Sequence, residues 1–540
     1  MCGFLAIIGK GKDSQLVAEL SKRMAHRGPD ESDLHITDHG HILCHERLSI
    51  IDLHSGKQPI QGTSTAYMVH NGEIYNHQDL RTGVLTSHQF RTHSDSEVIV
   101  HLYEEFGYEF VGMLDGDFAF VVVQGDDFIA GRDPLGVKPL YYGIDDRGRY
   151  YFASEMKALA DQCSSFSTFP PGHYYTPETG FVQYYQPAYM QAQVETNPVD
   201  YTALRDSLIQ ATKKRLMSDV PIGVLLSGGL DSSLTSSIAS RLLKAEGKKL
   251  HSFSIGLNPD APDAKAARKV AEFLGTEHHE IHFTVEEGIQ ILKKLIWHLE
   301  TYDVTSVRAS TPMYFLAKAI TEKGIKVVLS GEGADEVFGG YLYFRNAPSV
   351  EDFRKETVER VQRLYTADLL RADKSTMAHG LEARVPFLDK AFLDVAMGID
   401  AQDKLPQTYQ GIEKYILRKA FDTPEDPFLP QEVLWRQKEQ FSDGVGYNWI
   451  DTLIEYCTAQ VTDQMMHKAA TQFAYNTPST KEAYFYRMLF HEHFPQQSAA
   501  QTVRKWIPKW QENTDPSGRA NAAHVQADTQ ISAQTSALAS

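Results

Sequence analysis

The stretch Ser227-Gly228-Gly229-Leu230-Asp231-Ser232-Ser233 decides the fold of the larger part of this chain. A short apolar run over residues 221–226 leads into it, and helical spacing follows over residues 232–244. Glycine turns, serine hydroxyls and the exposed N–H groups at the start of a helix form a cradle for an anion such as pyrophosphate. The loop is not of the Walker A type, because no Gly-Lys-Ser/Thr follows it. An ordinary capped turn is the structural alternative.

A second glycine-rich turn, SGEGADEVFGG at residues 330–340, follows an apolar run over residues 325–329. In a parallel sheet both turns meet at the carboxyl edge, which is where ligands bind. Its three carboxylates can bind Mg²⁺, accept an ammonium proton or orient a substrate amine, and a solvated acidic turn is the alternative. A further strand signal lies at residues 251–257. The alternation of strands and helices predicts an α/β domain with a parallel sheet.

The first 185 residues show a different pattern, with many short strands and few helices. Strands are predicted at residues 3–8, 41–50, 66–70, 118–123 and 150–153, and helices at residues 14–25 and 96–106. This pattern predicts an α+β block with stacked sheets. The pattern fades over residues 186–198, and beyond residue 516 the chain has almost no large apolar side chains. We expect a linker at the first place and a disordered tail at the second.

Composition and charge limit the classes of function. A chain of 540 residues favours two or three domains, and its 42% hydrophobic and 23% charged residues are typical of a globular protein. No apolar run approaches the roughly 20 residues of a membrane span, and no basic signal-peptide segment precedes Cys2, so we expect a cytoplasmic protein with no membrane partner. The net charge of −17 argues against nucleic acid as a partner.

Cysteine and histidine usage suggests no metal centre of the zinc type. Only four cysteines occur, and none forms a CxxC pair, so neither a disulfide framework nor a zinc site is expected. The 22 histidines are spread along the chain. Pairs such as His278 and His279 are interpreted as solvated or hydrogen-bonded side chains, and no metal is assigned to them.

Cys2 is the most informative single residue. If Met1 is removed, the chain begins with a thiol and a free α-amino group on one residue, so that the amine can take the thiol proton. Gly3 leaves room for a substrate against the backbone. Taken alone the signal is weak, and it favours a small apolar side chain near a terminus.

These features together resemble known families. The loop at residues 227–233 resembles the pyrophosphate loop of the ATP-pyrophosphatases, which form acyl adenylates. With Cys2-Gly3 and the second loop, the chain resembles the glutamine-hydrolysing asparagine synthetases from residue 2 to about residue 518. The blocks that carry the resemblance are HRGPD (26–30), HERLSIID (45–52), NGEIYN (71–76), RDPLG (132–136), EARVPFLD (382–389) and WRQK (435–438).

The resemblance implies two domains. The first, at residues 2–185, is an N-terminal-nucleophile glutaminase with an αββα sandwich. A linker at residues 186–200 leads to an adenylating α/β domain with a parallel sheet and helical additions at residues 201–515, and the tail covers residues 516–540. Bacterial members of the family suggest a homodimer.

The resemblance also implies a glutamine site. Cys2 attacks the glutamine carboxamide, Asn71 and Gly72 form the oxyanion hole, and Arg47 binds the α-carboxylate of glutamine. Glu73 and Asp95 match the acidic groups that bind the α-ammonium.

In the second domain the resemblance implies sites for ATP, Mg²⁺ and aspartate. Asp231 and Asp335 are metal-side carboxylates, Lys438 neutralises charge during adenylation, and Glu332 helps ammonia attack the adenylate. Asp335 and Arg308 are candidates for aspartate binding, and a structural ion pair is the alternative for Arg308. The residues matched to ATP binding are Leu226, Ser227, Gly228, Gly229, Asp231, Ser232, Ile255, Ser330 and Gly331.

The function implied is the ATP-dependent amidation of aspartate with ammonia from glutamine, through a β-aspartyl-AMP intermediate. Three alternatives differ from it. A β-lactam synthetase shares the architecture but characteristically lacks the glutaminase nucleophile, which is present here. An amidotransferase that acts on another carboxylate keeps the same loops. A non-catalytic glutamine sensor requires the loss of motif residues, and none is lost.

Overall fold

The computed structural model describes residues 2–191, 195–436 and 448–511. Lys438, Met1 and the tail expected at residues 516–540 lie outside these residues, as does part of the expected linker. Within them the strands form three sheets, two of which belong to the first 183 residues.

The two N-terminal sheets are antiparallel and have six strands each. The strands are β1 (Gly3–Ile8), β2 (Glu31–Ile36), β3 (Ile42–Arg47), β4 (Ile60–Gln61), β5 (Tyr67–Ile74), β6 (Gly116–Gln124), β7 (Asp127–Arg132), β8 (Tyr141–Ile144), β9 (Tyr150–Ala153), β10 (Ser165–Thr168), β11 (His173–Thr176) and β12 (Gly180–Gln183). The first sheet has the order β10-β8-β9-β1-β3-β2 and the second has the order β12-β11-β7-β6-β5-β4.

Alternation along the strands produces the layers. In β1, Phe4 and Ala6 belong to the core between the two sheets, whereas Leu5 and Ile7 belong to the core that includes the buried side of α1 (Ser14–Lys22). On the far side, α3 (Glu97–Phe106) covers the second sheet, after the short α2 (His77–Thr82). The order of layers is helix, sheet, sheet, helix, which confirms the predicted αββα sandwich.

The remaining strands form one parallel sheet, as predicted. They are β13 (Ile222–Leu225), β14 (His251–Gly256), β15 (Glu277–His282), β16 (Val327–Leu329) and β17 (Glu382–Arg384), in the order β15-β14-β13-β16-β17. Because β13 and β16 are parallel neighbours, the loops that follow them lie at the same edge of the sheet.

Helices surround this sheet and extend it. They are α4 (Tyr201–Lys214), α5 (Leu230–Ala245), α6 (Pro262–Leu274), α7 (Val285–Gln290), α8 (Leu292–Leu299), α9 (Val304–Thr321), α10 (Ala334–Phe338), α11 (Val350–Arg363), α12 (Asp368–Met377), α13 (Lys390–Gly398), α14 (Ala401–Lys404), α15 (Tyr415–Ala420), α16 (Gln431–Leu434), α17 (Asn448–Gln460), α18 (Asp463–His467), α19 (Ala469–Gln472), α20 (Lys481–His493) and α21 (Gln497–Gln501). Side-chain caps fix several starts; for example, Asp303 accepts from the N–H of Ser306 at the start of α9.

The two halves meet through buried charges. Arg27 Nη1 lies 2.7 Å from Asp373 Oδ2 on α12, and Arg384 Nη2 lies 3.2 Å from Glu73 Oε1 on β5. All four side chains are almost fully buried. Removing one member of a buried ion pair typically costs about 3–5 kcal/mol, so these contacts fix how the halves face each other.

Candidate functional site

The first group of predicted residues lies around Cys2, directly before β1. The Cys2 backbone N–H donates to Asn71 Oδ1 at 2.9 Å, and the Cys2 carbonyl oxygen accepts from Arg27 Nε at 2.9 Å. The Cys2 Sγ lies 3.9 Å from the carbonyl oxygen of Leu48, the residue next to Arg47. Burial raises the pKa of the Cys2 thiol, so a nearby base is needed to make it a nucleophile.

Asn71 and Gly72 are neighbours on β5, and Asn71 contacts Cys2 directly. The side-chain oxygen of Asn71 is engaged by Cys2, whereas its buried Nδ2 has no hydrogen-bond partner among the described residues. Gly72 has φ +143°, and a Cβ there would lie 2.0 Å from the Asp117 carbonyl oxygen. Only glycine therefore lets β5 run against β6 at this point. An unpartnered buried amide is suited to a developing negative charge.

Two buried carboxyl groups lie next to this strand. Asp95 Oδ2 accepts from the N–H of Ile74 at 2.7 Å, and burial raises the pKa of Asp95 to about 6. Burial, and then the charge of Glu382, raises the pKa of Glu73 well above its usual range. Arg384 offsets only part of this effect. A bound ammonium group would stabilise both carboxylates in their charged forms.

Arg47 ends β3 and is buried near Cys2, where its positive charge acts on the Cys2 thiol. Its Nη1 donates to Glu31 Oε2 at 2.7 Å and its Nη2 donates to the Asp52 carbonyl oxygen at 2.5 Å. A guanidinium has five N–H donors, so donors remain for a carboxylate. The structure thus brings all the residues predicted for glutamine together.

The second group lines a cavity at the carboxyl edge of the parallel sheet. The predicted residues that line it are Leu226, Ser227, Gly229, Asp231, Ser232, Ile255, Ser330, Gly331, Glu332 and Asp335. Gly228 lies just behind them, where its carbonyl oxygen accepts from Arg436 Nη1 at 3.2 Å.

The two glycine-rich loops pack directly against each other. A Cβ on Gly331 would lie 2.7 Å from the backbone nitrogen of Ser232, so this residue must be glycine for the loops to touch. The Ser227 and Ser232 hydroxyl oxygens lie 3.0 Å apart at the start of α5. The cavity therefore combines hydroxyls with the amino terminus of a 16-residue helix, a combination suited to phosphate.

Lys414 joins the two predicted metal-side carboxylates. Its Nζ lies 2.7 and 2.8 Å from the two carboxylate oxygens of Asp231 and 2.8 Å from Asp335 Oδ1. One cation thus already lies between both side chains. Lys414 is not predicted from the sequence, because it follows Asp231 by 183 residues and no motif marks it.

The cavity is also lined by a guanidinium that the sequence did not indicate. Arg371 Nη2 lies 3.1 Å from Glu332 Oε2 and 2.9 Å from Asp368 Oδ1, and all three residues line the cavity. Arg308 does not line it: its Nε and Nη2 bind both oxygens of buried Glu482 at 2.8 and 2.6 Å. Arg308 therefore has the geometry of a structural ion pair, which was the alternative to aspartate binding for this residue.

Comparison with known proteins places the chain in a family. A glutamine amidotransferase domain model matches residues 1–185, and an asparagine synthase model matches residues 203–356 and 345–517. A maize asparagine synthetase (glutamine-hydrolyzing) is 51% identical, over 98% of this chain and 94% of the relative. Asparagine synthetase (glutamine-hydrolyzing) 1 of Arabidopsis thaliana is 50% identical, over 96% and 93%. The chain belongs to the glutamine-hydrolyzing asparagine synthetase family.

In this chain, residues of the asparagine synthase segment contact the predicted glutamine site of the amidotransferase segment. Every residue predicted for glutamine lies in the amidotransferase segment, but Glu382 and Arg384, which act on Glu73, come from the synthase segment. Glu382 and Arg384 belong to the block at residues 382–389 that carries part of the family resemblance. This block was the sequence signal that could have indicated them, although no role was assigned to either residue. Among the described residues, no helix is long and apolar enough to cross a membrane.

Proposed function

We propose that this chain makes asparagine, by hydrolysing glutamine at Cys2 and using the ammonia to amidate aspartate that ATP has activated. The observation that supports this most is the pairing of two assembled sites on one chain. At the first site Asn71 accepts a hydrogen bond from the Cys2 nitrogen, and its own buried Nδ2 has no hydrogen-bond partner among the described residues. At the second site Asp231 and Asp335 surround the Lys414 ammonium. The family's relatives, named for the same two activities, support the proposal.

In the glutaminase step, removal of Met1 makes the Cys2 nitrogen an α-amine held by Asn71 Oδ1. This amine takes the thiol proton, which the raised pKa of Cys2 makes necessary. The thiolate attacks the carboxamide carbon of glutamine, and Asn71 Nδ2 with the Gly72 N–H stabilises the oxyanion. The protonated α-amine returns this proton to the amide nitrogen, so that ammonia leaves, and water then releases glutamate from the thioester. Fixed donors of this kind contribute about 2.7–4 kcal/mol each.

The other groups of glutamine bind to charges of the same pocket. Arg47 offers its remaining N–H groups to the α-carboxylate, and Glu73 and Asp95 accept the α-ammonium. A bound ammonium lowers the pKa values of these two buried carboxyls toward their usual range. Its attraction to the two carboxylates therefore favours glutamine binding.

In the synthetase step, the loops around Ser227, Ser232 and Gly331 hold ATP, with Leu226 and Ile255 against the adenosine. Asp231 and Asp335 fit Mg²⁺, because both already converge on one cationic nitrogen, Lys414 Nζ. When bound, Mg²⁺ neutralises charge on the phosphates. The aspartate side-chain carboxylate attacks the α-phosphorus, pyrophosphate leaves, and β-aspartyl-AMP remains.

We assign the binding of the aspartate α-carboxylate to Arg371 rather than Arg308, because Arg371 lines the cavity and Arg308 is paired with Glu482. Glu332 lies beside Arg371 and is placed to take a proton from ammonia as it attacks the adenylate. Lys438, proposed to neutralise charge during adenylation, belongs to the part of the chain outside the described residues.

A panel of carboxylic acids tests the proposal. The enzyme is incubated with ATP, Mg²⁺, glutamine and either aspartate, glutamate or a peptide that ends in aspartate, and AMP, pyrophosphate and amide product are measured. We expect aspartate to yield asparagine with equimolar AMP and pyrophosphate. Turnover with another acid but not with aspartate would favour the alternative amidotransferase, and no turnover with glutamine present would favour the sensor.

A further inference from the structure

The parallel sheet carries a cluster of metal-ligand side chains that belongs to neither of the two sites described above. β14 and β15 pair in parallel, and His251 at the start of β14 lies opposite Glu277 at the start of β15. Because side chains alternate along a strand, His279 is on the same face as Glu277, two residues further on. Three possible ligands therefore share one face of the sheet at its amino edge.

We propose that His251, Glu277 and His279 form a binding site for a divalent zinc-class metal ion. The proposal does not depend on the proposed function. It revises the expectation from the sequence that the His278-His279 pair binds no metal.

The distances between the three ligand atoms carry the argument. His251 Nδ1 lies 3.2 Å from His279 Nε2, and Glu277 Oε1 lies 3.8 Å from the first nitrogen and 3.7 Å from the second. A triangle with these sides has a circumradius of about 2.1 Å. An ion at its centre would thus be about 2.1 Å from all three atoms, which matches Zn–N and Zn–O bond lengths of about 2.0–2.2 Å.

Ligand type and exposure point to the same class of ion. Two imidazoles and one carboxylate suit zinc and its neighbours, whereas Mg²⁺ and Ca²⁺ prefer oxygen alone. The side chain of His279 is 16% exposed and that of His251 is 30% exposed, whereas Glu277 is about half exposed. Water therefore has access to complete the coordination. The His279 ring stacks on Phe253 with centroids 4.8 Å apart, which restricts its orientation.

The position of the cluster suggests a structural role. The carboxyl end of β14 lines the cavity through Phe253, Ser254 and Ile255, whereas His251 lies at the opposite end of the strand. β15 is an edge strand of this sheet, so a metal bridging the two strands would fasten the edge. A comparable group, His88, His101 and Glu104, is less suited, because both nitrogens of His101 already face Glu97 and Glu104.

Zinc titration of the tag-free, chelator-treated enzyme tests the proposal. We expect one equivalent of zinc to bind and to raise the thermal unfolding temperature. His279→Ala and His251→Ala should each weaken zinc binding by more than about 100-fold. Losing a residue that only hydrogen-bonds to a metal ligand costs up to about 100-fold, and losing the ligand itself should cost more. The matched control is His278→Ala, since His278 is on the same strand but bonds Ser252 and Ser254 on the other face.

Glu277→Gln keeps the size of the side chain and serves if a histidine variant does not fold; it should weaken zinc binding while leaving the unfolding temperature of the metal-free protein unchanged. Cobalt in place of zinc should give visible ligand-field bands that the same variants lose. Equal zinc affinity in the wild-type enzyme, His251→Ala and His279→Ala would overturn the proposal. The absence of any zinc-induced stabilisation of the wild-type enzyme would also overturn it. The contact between His251 and His279 would then be explained as a hydrogen bond alone.

Discussion

The two candidate sites differ in where their charges are balanced. The pocket around Cys2 depends on the other half of the chain: Glu73 pairs with Arg384, and Arg27, which holds the Cys2 carbonyl, pairs with Asp373. Within the described ranges 2–191, 195–436 and 448–511, the residues that line the cavity at the parallel sheet all come from Leu225 onward. The charges around Cys2 are therefore balanced partly by the synthase segment, whereas the described lining of the cavity belongs to the synthase segment alone.

The largest expected effect breaks the nucleotide site alone. Asp231→Asn removes one of the two carboxylates that share the Lys414 cation, and we expect AMP formation to fall by about 1000-fold or more, as when a preorganised charge is lost. Glutaminase activity should remain, since no described residue of the Cys2 pocket touches Asp231. Asp260→Asn, at an exposed position, is the matched control. Equal loss of both activities would show that the sites are not separable in this direction.

The next effect breaks the glutamine site alone. Asn71→Asp keeps an oxygen for the Cys2 nitrogen but removes the Nδ2 donor, so glutaminase kcat should fall by about 100- to 1000-fold. Synthesis driven by added ammonium should be preserved. Steady-state kinetics with each nitrogen source measure this, and unchanged glutaminase activity would remove Asn71 Nδ2 from the oxyanion hole.

A smaller effect tests whether the Cys2 site depends on charges from the synthase segment. Arg384→Lys retains a positive charge but loses the fork that reaches Glu382 and Glu73, so glutaminase kcat/KM should fall about tenfold. AMP formation with ammonium should stay near the wild-type rate. Arg371→Lys is the matched change in the other site and should raise the KM for aspartate without affecting glutaminase activity. If the two variants gave the same pattern, the comparison would fail.

The smallest effect depends on pH. The pKa of Asp95 is about 6 in the fold, above its usual 3.8, so protonation of Asp95 stabilises the fold and this stabilisation is lost as pH rises through about 6. Glutamine binding has the opposite sign, because only the ionised carboxyl pairs with an ammonium. The KM for glutamine should therefore rise as pH falls from 7 to 5, by up to about tenfold. Asp95→Asn should have a higher KM at pH 7 and a flatter profile, and an unchanged slope would contradict the assignment.

The sequence predicts the fold well where the local pattern is strong. β1 and β9 have the predicted ends, and the parallel sheet follows from apolar runs that enter glycine loops. α1 is shorter than predicted and ends at Lys22, because residues up to Gly28 continue as turns that carry Arg27 inward to Cys2 and Asp373. Periodicity alone contains no information on such a tertiary contact.

The candidate sites are predictable only where motifs mark them. Cys2, Asn71 and the two glycine-rich loops carry recognisable patterns. Lys414, in the turn before α15, and Arg371, on α12, are single charged residues far along the chain. Arg308 has the expected residue type, but Glu482, 174 residues away, is its partner. Which arginine faces a cavity is decided by helix packing, and a single sequence does not show it.

Transfer of the amide nitrogen tests the central claim most directly. The enzyme is given ATP, Mg²⁺, aspartate and glutamine labelled with heavy nitrogen in its side-chain amide, and the mass of the asparagine formed is measured for the wild-type chain and Cys2→Ala. The account predicts labelled asparagine from the wild-type enzyme, with equimolar AMP and pyrophosphate, and from Cys2→Ala only unlabelled asparagine when ammonium is added. Labelled asparagine from Cys2→Ala, or none from the wild-type enzyme, would contradict it.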